Sequence, residues 1–172
     1  TLADAVDWAT AHGADVVNLS VGGSGLAPAL FENGPLSRSV RNAASRGVVV
    51  VTAAGNDAVS EAAYRPTTPA LVVNASDPSG APAAFTTFGD PSALAAPGVD
   101  VLSTAPEDPS ARWPAGTDGY EAMDGTSMSA ALVSGVAALL VAEGLSAEEI
   151  RSVLITTARN PEGDDRLGAG VV

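Results

Sequence analysis

This sequence predicts an α/β fold, a doubly wound and mostly parallel sheet with helices on both faces, and three observations point to it. The run VVVVTAA at 48–54 is continuously apolar and largely β-branched, as expected of a strand covered on both faces of a parallel sheet. Helix-like and strand-like segments alternate through the first third of the chain, the order that builds such a sheet. Aromatic residues are only 4% of a chain that is 46% hydrophobic. The core must therefore be made of Ala, Val and Leu, which lets helices lie close on a sheet.

Each element has its own signal. Residues 2–12 place Leu2, Ala5, Val6 and Ala9 on one helical face, and Gly13 ends the run. Asp15 to Val21 reads as a buried strand opening into Gly22-Gly23. Leu36 to Arg46 forms an amphipathic helix closed by Gly47, followed by the 48–54 strand. From Asn56 to Pro114 the chain is proline-rich, and short strands are expected at 70–75, 84–88 and 101–104 within an exposed, loop-rich region. Helices follow at 127–143, whose uncharged stretch 129–142 is read as buried, and at 146–157, opened by the capping box Ser146…Glu149. No repeat, low-complexity tract or linker divides the chain. Residues 1–172 are expected to be one incomplete domain, since the chain opens Thr-Leu-Ala-Asp and both ends read as cut from something larger.

Composition excludes several functions. A net charge of −12, with all eight basic residues arginine, argues against nucleic acid or an anionic membrane as partner, because phosphates demand basic patches. The absence of cysteine removes disulfides, thiolate metal sites and cysteine nucleophiles. The longest uncharged run, about 129–142, is too short and too rich in Ser and Gly to insert in a membrane. Acidic residues are scattered with no Asp-x-Asp-x-Asp loop, so no metal ligand is assigned, and Asp77, Asp90 and Glu107 are read as solvated loop residues.

Four short segments carry chemistry. Asp124-Gly125-Thr126-Ser127-Met128 sets a hydroxyl on a glycine-loosened turn at a helix start, where unpaired N–H groups and the positive dipole end favour an oxyanion. Alone, it reads first as a helix cap. Ala53-Ala54-Gly55-Asn56 lies at a strand's carboxyl end, where α/β folds bind ligands; alone, it is also a Gly-Asn turn. Asn18-Leu19-Ser20-Val21-Gly22-Gly23 is a strand exit whose glycines allow another backbone to approach. Ala96-Pro97-Gly98 is most simply a turn.

Together, in this order, these segments closely resemble the subtilisin-like serine proteases, the subtilases. The resemblance rests on NLSVGG (18–23), VVVVTAAGN (48–56), APGVDVLST (96–104) and DGTSMSAALVSGVAALL (124–140), and extends to the Leu167–Gly170 tail. It implies that Ser127 is the nucleophile and that Asn56 and the Ser127 backbone N–H form the oxyanion hole. Ser20, Val21 and Gly22 would pair with the substrate backbone and line one wall of the primary specificity pocket. Ala53, Ala54 and Gly55 would line another, and the small residues leave room for a large apolar or aromatic side chain. The implied protein is a secreted or cell-surface serine endopeptidase acting on polypeptides. It would be monomeric when complete and need no cofactor for its chemistry, with structural Ca²⁺ possible in the complete domain.

The chain also departs from the family. Its Asp-x-Gly and His-Gly-Thr-His motifs do not occur in these residues, so the aspartate, the histidine and the final helix are expected outside the segment. The segment alone is then expected to be inactive. His12-Gly13 imitates the histidine motif but continues Ala14-Asp15, and His12 reads as a helix-end residue. Ala131-Leu132 stands where Pro-His is usual. Met128, beside the nucleophile, would lower activity when oxidised. The rival reading is a pseudoprotease or peptide-binding module. An α/β-hydrolase esterase is disfavoured by the lack of Gly-x-Ser-x-Gly, and a dinucleotide-binding protein by the lack of Gly-x-Gly-x-x-Gly.

Overall fold

A computed structural model describes residues 1–21, 34–60, 69–105 and 119–172. Helix α1 (Leu2–Ala11) leads into strand β1 (Val16–Leu19), and α2 (Pro35–Ser45) into β2 (Val49–Ala53). Strands β3 (Leu71–Ser76) and β4 (Leu94–Pro97) follow. A small ribbon of β5 (Val101–Thr104) and β6 (Tyr120–Met123) precedes the long helix α3 (Thr126–Ala142), then α4 (Ala147–Thr157) and the short strand β7 (Gly170–Val171). The sheet runs β1-β2-β3-β4-β7 with every pairing parallel, while β5 and β6 pair antiparallel.

The two sheet faces are filled by alternate residues of the same strands. Val49, Val51, Leu71, Val73, Leu94 and Ala96 meet Ala130, Val133 and Ala137 of α3, with Ile150 and Leu154 of α4. Val48, Val50 and Leu19 instead meet Ala3 and Val6 of α1 and Leu36, Val40 and Ala43 of α2. That double coverage is why 48–51 tolerates no polar residue. Small side chains at 130, 133 and 137 repeat at helical spacing and let α3 lie across β1 to β4.

Several expectations are corrected. Residues 84–88 form turns and isolated bridges rather than a strand. The strand lies instead at Leu94–Pro97, so Ala96 and Pro97 end β4 and only the residues after them turn. The stretch expected to be exposed contains β3, all six residues of which are buried. β1 is half-buried rather than buried because, among the described residues, it forms an unpaired sheet edge. α1 buries Ala3, Val6 and Thr10 and leaves Ala5 exposed. α3 is buried on one side only, for Leu132 and Leu139 face outward at 43% and 69% exposure. Asp90 is buried, not solvated: its carboxylate accepts from the backbone N–H and hydroxyl of Ser92.

Turn and cap carboxylates tie the periphery. Glu149 accepts from the Ser146 hydroxyl and backbone N–H, and the Ser146 hydroxyl in turn accepts from the Glu149 N–H. Asp164 takes the Arg166 guanidinium at 2.6 and 3.0 Å, and Asp77 takes the Ser79 hydroxyl and N–H and the Ala81 N–H. In each case a side-chain hydrogen bond is the largest cause holding the carboxyl below its ordinary value, 3.8 for Asp and 4.5 for Glu. Such groups bind fewer protons when folded. Their stabilisation is full above the ordinary carboxylate range and is lost as pH falls below it, through the depressed folded values. Melting of the full-length protein between neutral and acidic pH checks this. Asp164→Asn should flatten the acid limb of the Tm profile, and an unchanged limb would exclude the contribution of Asp164.

Candidate active site

Three strand and helix ends converge at the carboxyl edge of the sheet. β1 delivers Ser20, β2 delivers Ala53 to Asn56, and α3 arrives from across the sheet with Thr126 and Ser127 in its first turn. The chain enters α3 through Gly125 at φ 150° and ψ 153°. A Cβ there would lie 3.3 Å from Met128 Sδ and 3.4 Å from Asn56 Nδ2. Glycine is needed for the backbone, and a side chain there would also be tightly placed. The turn is held from below, where the Gly125 N–H donates to Gly98 O at 2.8 Å and the Asp100 N–H donates to Asp124 Oδ1 at 2.8 Å. Ser129, fully buried, donates its hydroxyl to Ala96 O at 2.9 Å.

Asn56 is oriented by Thr126. The Thr126 backbone N–H and hydroxyl both donate to Asn56 Oδ1, at 3.0 and 2.9 Å. A backbone N–H can only donate, so the amide oxygen must face Thr126 and the NH₂ must face away. The Thr126 hydroxyl also accepts from the Gly55 N–H at 3.1 Å. Asn56 Nδ2 and the Ser127 N–H have no acceptor among the described residues, and the latter lies in the helix's first turn, where donors are free. Both uncommitted donors border the Gly125 turn, Asn56 Nδ2 at 3.4 Å and Ser127 N at 3.8 Å from where a Gly125 Cβ would stand.

Ser127 and Ser20 hold one another. The Ser20 hydroxyl donates to Ser127 O at 2.7 Å and accepts from Asn18 Nδ2 at 2.9 Å, while Ser127 Oγ donates to Ser20 O at 3.3 Å. Among the described residues no histidine or carboxylate bonds Ser127. His12 is the C-cap of α1, at the amino end of β1 and so at the opposite end of the sheet. Its Nδ1 meets Trp8 O at 2.8 Å and its ring stacks on Trp8 at 4.0 Å.

Of the candidate residues, Ser20, Ala53, Gly55, Asn56 and Ser127 gather at this edge, and Val21 lies beside them, 44% exposed. The Ala54 methyl points inward against Val72 and Ala93, leaving only its backbone to border a cleft. Gly22 lies outside the described residues, as does Glu107. Thr126 was missed as more than a cap; its place between a glycine turn and the hydroxyl was the available signal. Thr87 and Ser129 gave none. No group of three or more His, Asp or Glu among the described residues could hold a metal ion, and Asp77 and Asp90 serve their own turns.

The model of the subtilase family matches residues 1–170. The chain belongs to the subtilase family. It is similar to subtilisin DY of Bacillus licheniformis, 34% identical over 97% of this chain and 58% of that protein. An extracellular protease of Xanthomonas campestris pv. campestris is likewise 34% identical, over 99% of this chain and 31% of that one. Among solved structures, a Pseudoalteromonas arctica protease superposes with a TM-score of 0.79 at 31% identity, over 99% of this chain and 55% of its own. The subtilase chain thus spans less than two thirds of these relatives, and its sheet is the mostly parallel one expected of the family. No described helix is long and apolar enough to cross a membrane.

The clamp on Asn56 has a measurable cost of removal. Thr126→Val keeps the shape, loses the hydroxyl and leaves the Gly55 N–H without its acceptor. Denaturant unfolding of the full-length protein should show a loss of about 1–3 kcal/mol, and an unchanged midpoint would count against the clamp.

Proposed function

We propose that this chain is the nucleophile-bearing part of a secreted serine endopeptidase, and that the complete protein cleaves polypeptides through an acyl-enzyme on Ser127. The observation that carries the reading is the orientation of Asn56. Its oxygen is taken up by Thr126 and its NH₂ is left, with the Ser127 N–H, at the Gly125 turn that leads into Ser127.

In this mechanism the substrate chain lies along the Ser20–Gly22 exit and its scissile carbonyl faces the two donors. Ser127 Oγ forms a bond to the carbonyl carbon, the carbonyl π pair moves to oxygen, and Asn56 Nδ2 and the Ser127 N–H receive that charge. The serine proton passes to a histidine oriented by an aspartate, then to the leaving amine as the peptide C–N bond breaks. Water releases the acyl group by the same route. Both acid–base residues are taken from parts of the complete protein outside this segment, which spans 58% of the length of subtilisin DY. Secretion draws support from the extracellular protease of Xanthomonas. The small residues at Ser20 and Ala53–Gly55 favour a large apolar side chain in the primary pocket, and the complete domain is taken to act as a monomer.

A second reading, a pseudoprotease that binds peptides without cleaving them, draws on Leu132 where the family usually carries histidine. A fluorophosphonate probe on the full-length protein separates the two. The protease labels and Ser127→Ala abolishes labelling, whereas a folded protein that never labels overturns the first reading. In the active enzyme Asn56→Ala should lower kcat by about 10²–10³-fold, the range already known for losing such a donor in subtilisin, with little change in KM. Peroxide should lower activity through Met128 sulfoxide, given the approach of its sulfur to the Gly125 turn. Full activity after verified Met128 oxidation would contradict that.

A further inference from the structure

The donors are held by Thr126 from one side, but Asn56 sits on an exposed loop that needs a second hold. Residues 85–88, though not a strand, run beside that loop. The Thr87 N–H donates to Gly55 O at 3.0 Å, and Thr87 Oγ1 accepts from the Asp57 N–H at 3.1 Å. Thr87 therefore grips the residues immediately before and after Asn56. Farther along, the Ala58 N–H donates to Phe85 O at 2.9 Å and the Phe88 N–H to Val59 O at 3.1 Å.

Thr87 is only 1% exposed, although Asn56 and Asp57 lie at the surface. Gly55, at φ +111°, comes so close that a Cβ would stand 3.1 Å from Thr87 Oγ1. Ala58 has φ +53°, a left-handed conformation that a non-glycine residue keeps only when its surroundings impose it. The neighbouring Thr86, 2% exposed, accepts from the Ala75 N–H at 2.9 Å, so the gripping segment is itself fastened to β3. A continuous path of hydrogen bonds leads from the buried centre of the sheet to both flanks of Asn56.

We propose that Thr87 is a positioning residue for the Asn56 donor, setting where Nδ2 stands relative to the Ser127 hydroxyl. The proposal rests on the protease reading above. The physical requirement is an acceptor oxygen at Thr87 Oγ1: without it the Asp57 N–H loses its partner and the loop can drift. A drift of about 1 Å in a group aimed at a developing charge can cost up to roughly a hundredfold in rate. The methyl group plays no part, so serine should serve and valine and alanine should not.

The test uses the full-length enzyme and a chromogenic peptide anilide. Thr87→Val and Thr87→Ala should each lower kcat roughly tenfold with KM almost unchanged, and Thr87→Ser should keep the wild-type kcat. In an Asn56→Ala background Thr87→Val should add no further loss, because its effect passes through the missing amide. Ser146→Ala, which removes the α4 cap remote from this loop, should lower Tm while sparing kcat, which separates general loosening from donor placement. The proposal is overturned if Thr87→Val and Thr87→Ala keep the wild-type kcat, if Thr87→Ser is as slow as they are, if the loss persists without Asn56, or if Ser146→Ala is equally slow. Should Thr87→Val not fold, the alanine–serine pair, differing by one oxygen, decides alone. Those results would leave the protease reading standing. A wild-type protein that neither labels with fluorophosphonate nor turns over would instead remove that reading, and the role of Thr87 with it.

Discussion

Asn56 Oδ1 receives two hydrogen bonds from Thr126, and most of what is distinctive in this structure follows from that joint. It connects the carboxyl end of a central strand to the first turn of the helix that crosses the sheet. A carboxamide has one acceptor oxygen and one donor nitrogen, so using the first fixes the direction of the second. The donor is then aimed by groups of the fold, with no ligand needed to turn it. Such preorganisation is valuable because dipoles that are already aligned spend nothing on reorientation when charge develops.

The joint constrains its surroundings. Gly125 must be glycine because its φ of +150° is one that other residues rarely adopt, and Gly55 must bring backbone against Thr87. Gly98 lies beneath, where a Cβ would meet Ala75 Cβ at 2.6 Å and press on the Ser129 hydroxyl. Three chain segments far apart in sequence are thereby brought within backbone contact of one another. The core repeats the same economy: Ala130, Val133 and Ala137 give α3 a slim face that can lie across four strands.

Much of this was legible in the sequence, for physical reasons that also explain the failures. The 48–54 run announced a doubly covered strand because no polar residue can sit on either face, and Ser146…Glu149 announced a cap because its partners are local. Leu94–Pro97 was hidden because Leu-Ala-Ala-Pro has little β-branching and ends in a residue associated with turns; its burial comes from neighbours on both sides. Residues 84–88 looked like a strand from their Phe and Thr content, yet their hydrogen bonds go to a loop and to single residues. The one-sidedness of α3 escaped notice because leucine and alanine occupy both faces, so composition alone cannot say which side meets the sheet. Ser127 and Asn56 could be found as a pair only through their company. The grips of Thr87 and Thr126 are tertiary, and nothing in a threonine's local sequence reveals a partner 30 or 70 positions away.

The reach of α3 across β1, β2, β3 and β4 bears on how the molecule can come apart. A helix that touches four strands cannot leave one of them without disturbing the rest, so its first turn has no private route to unfolding. The Gly125–Ser129 turn is bonded to Gly98, to Ala96 and to Asn56 as well. Its opening therefore belongs to the cooperative unit of the central sheet rather than to the fraying of a surface loop. For the proposed nucleophile and its two proposed donors, opening only together with the central sheet would keep the geometry intact through the molecule's everyday fluctuations.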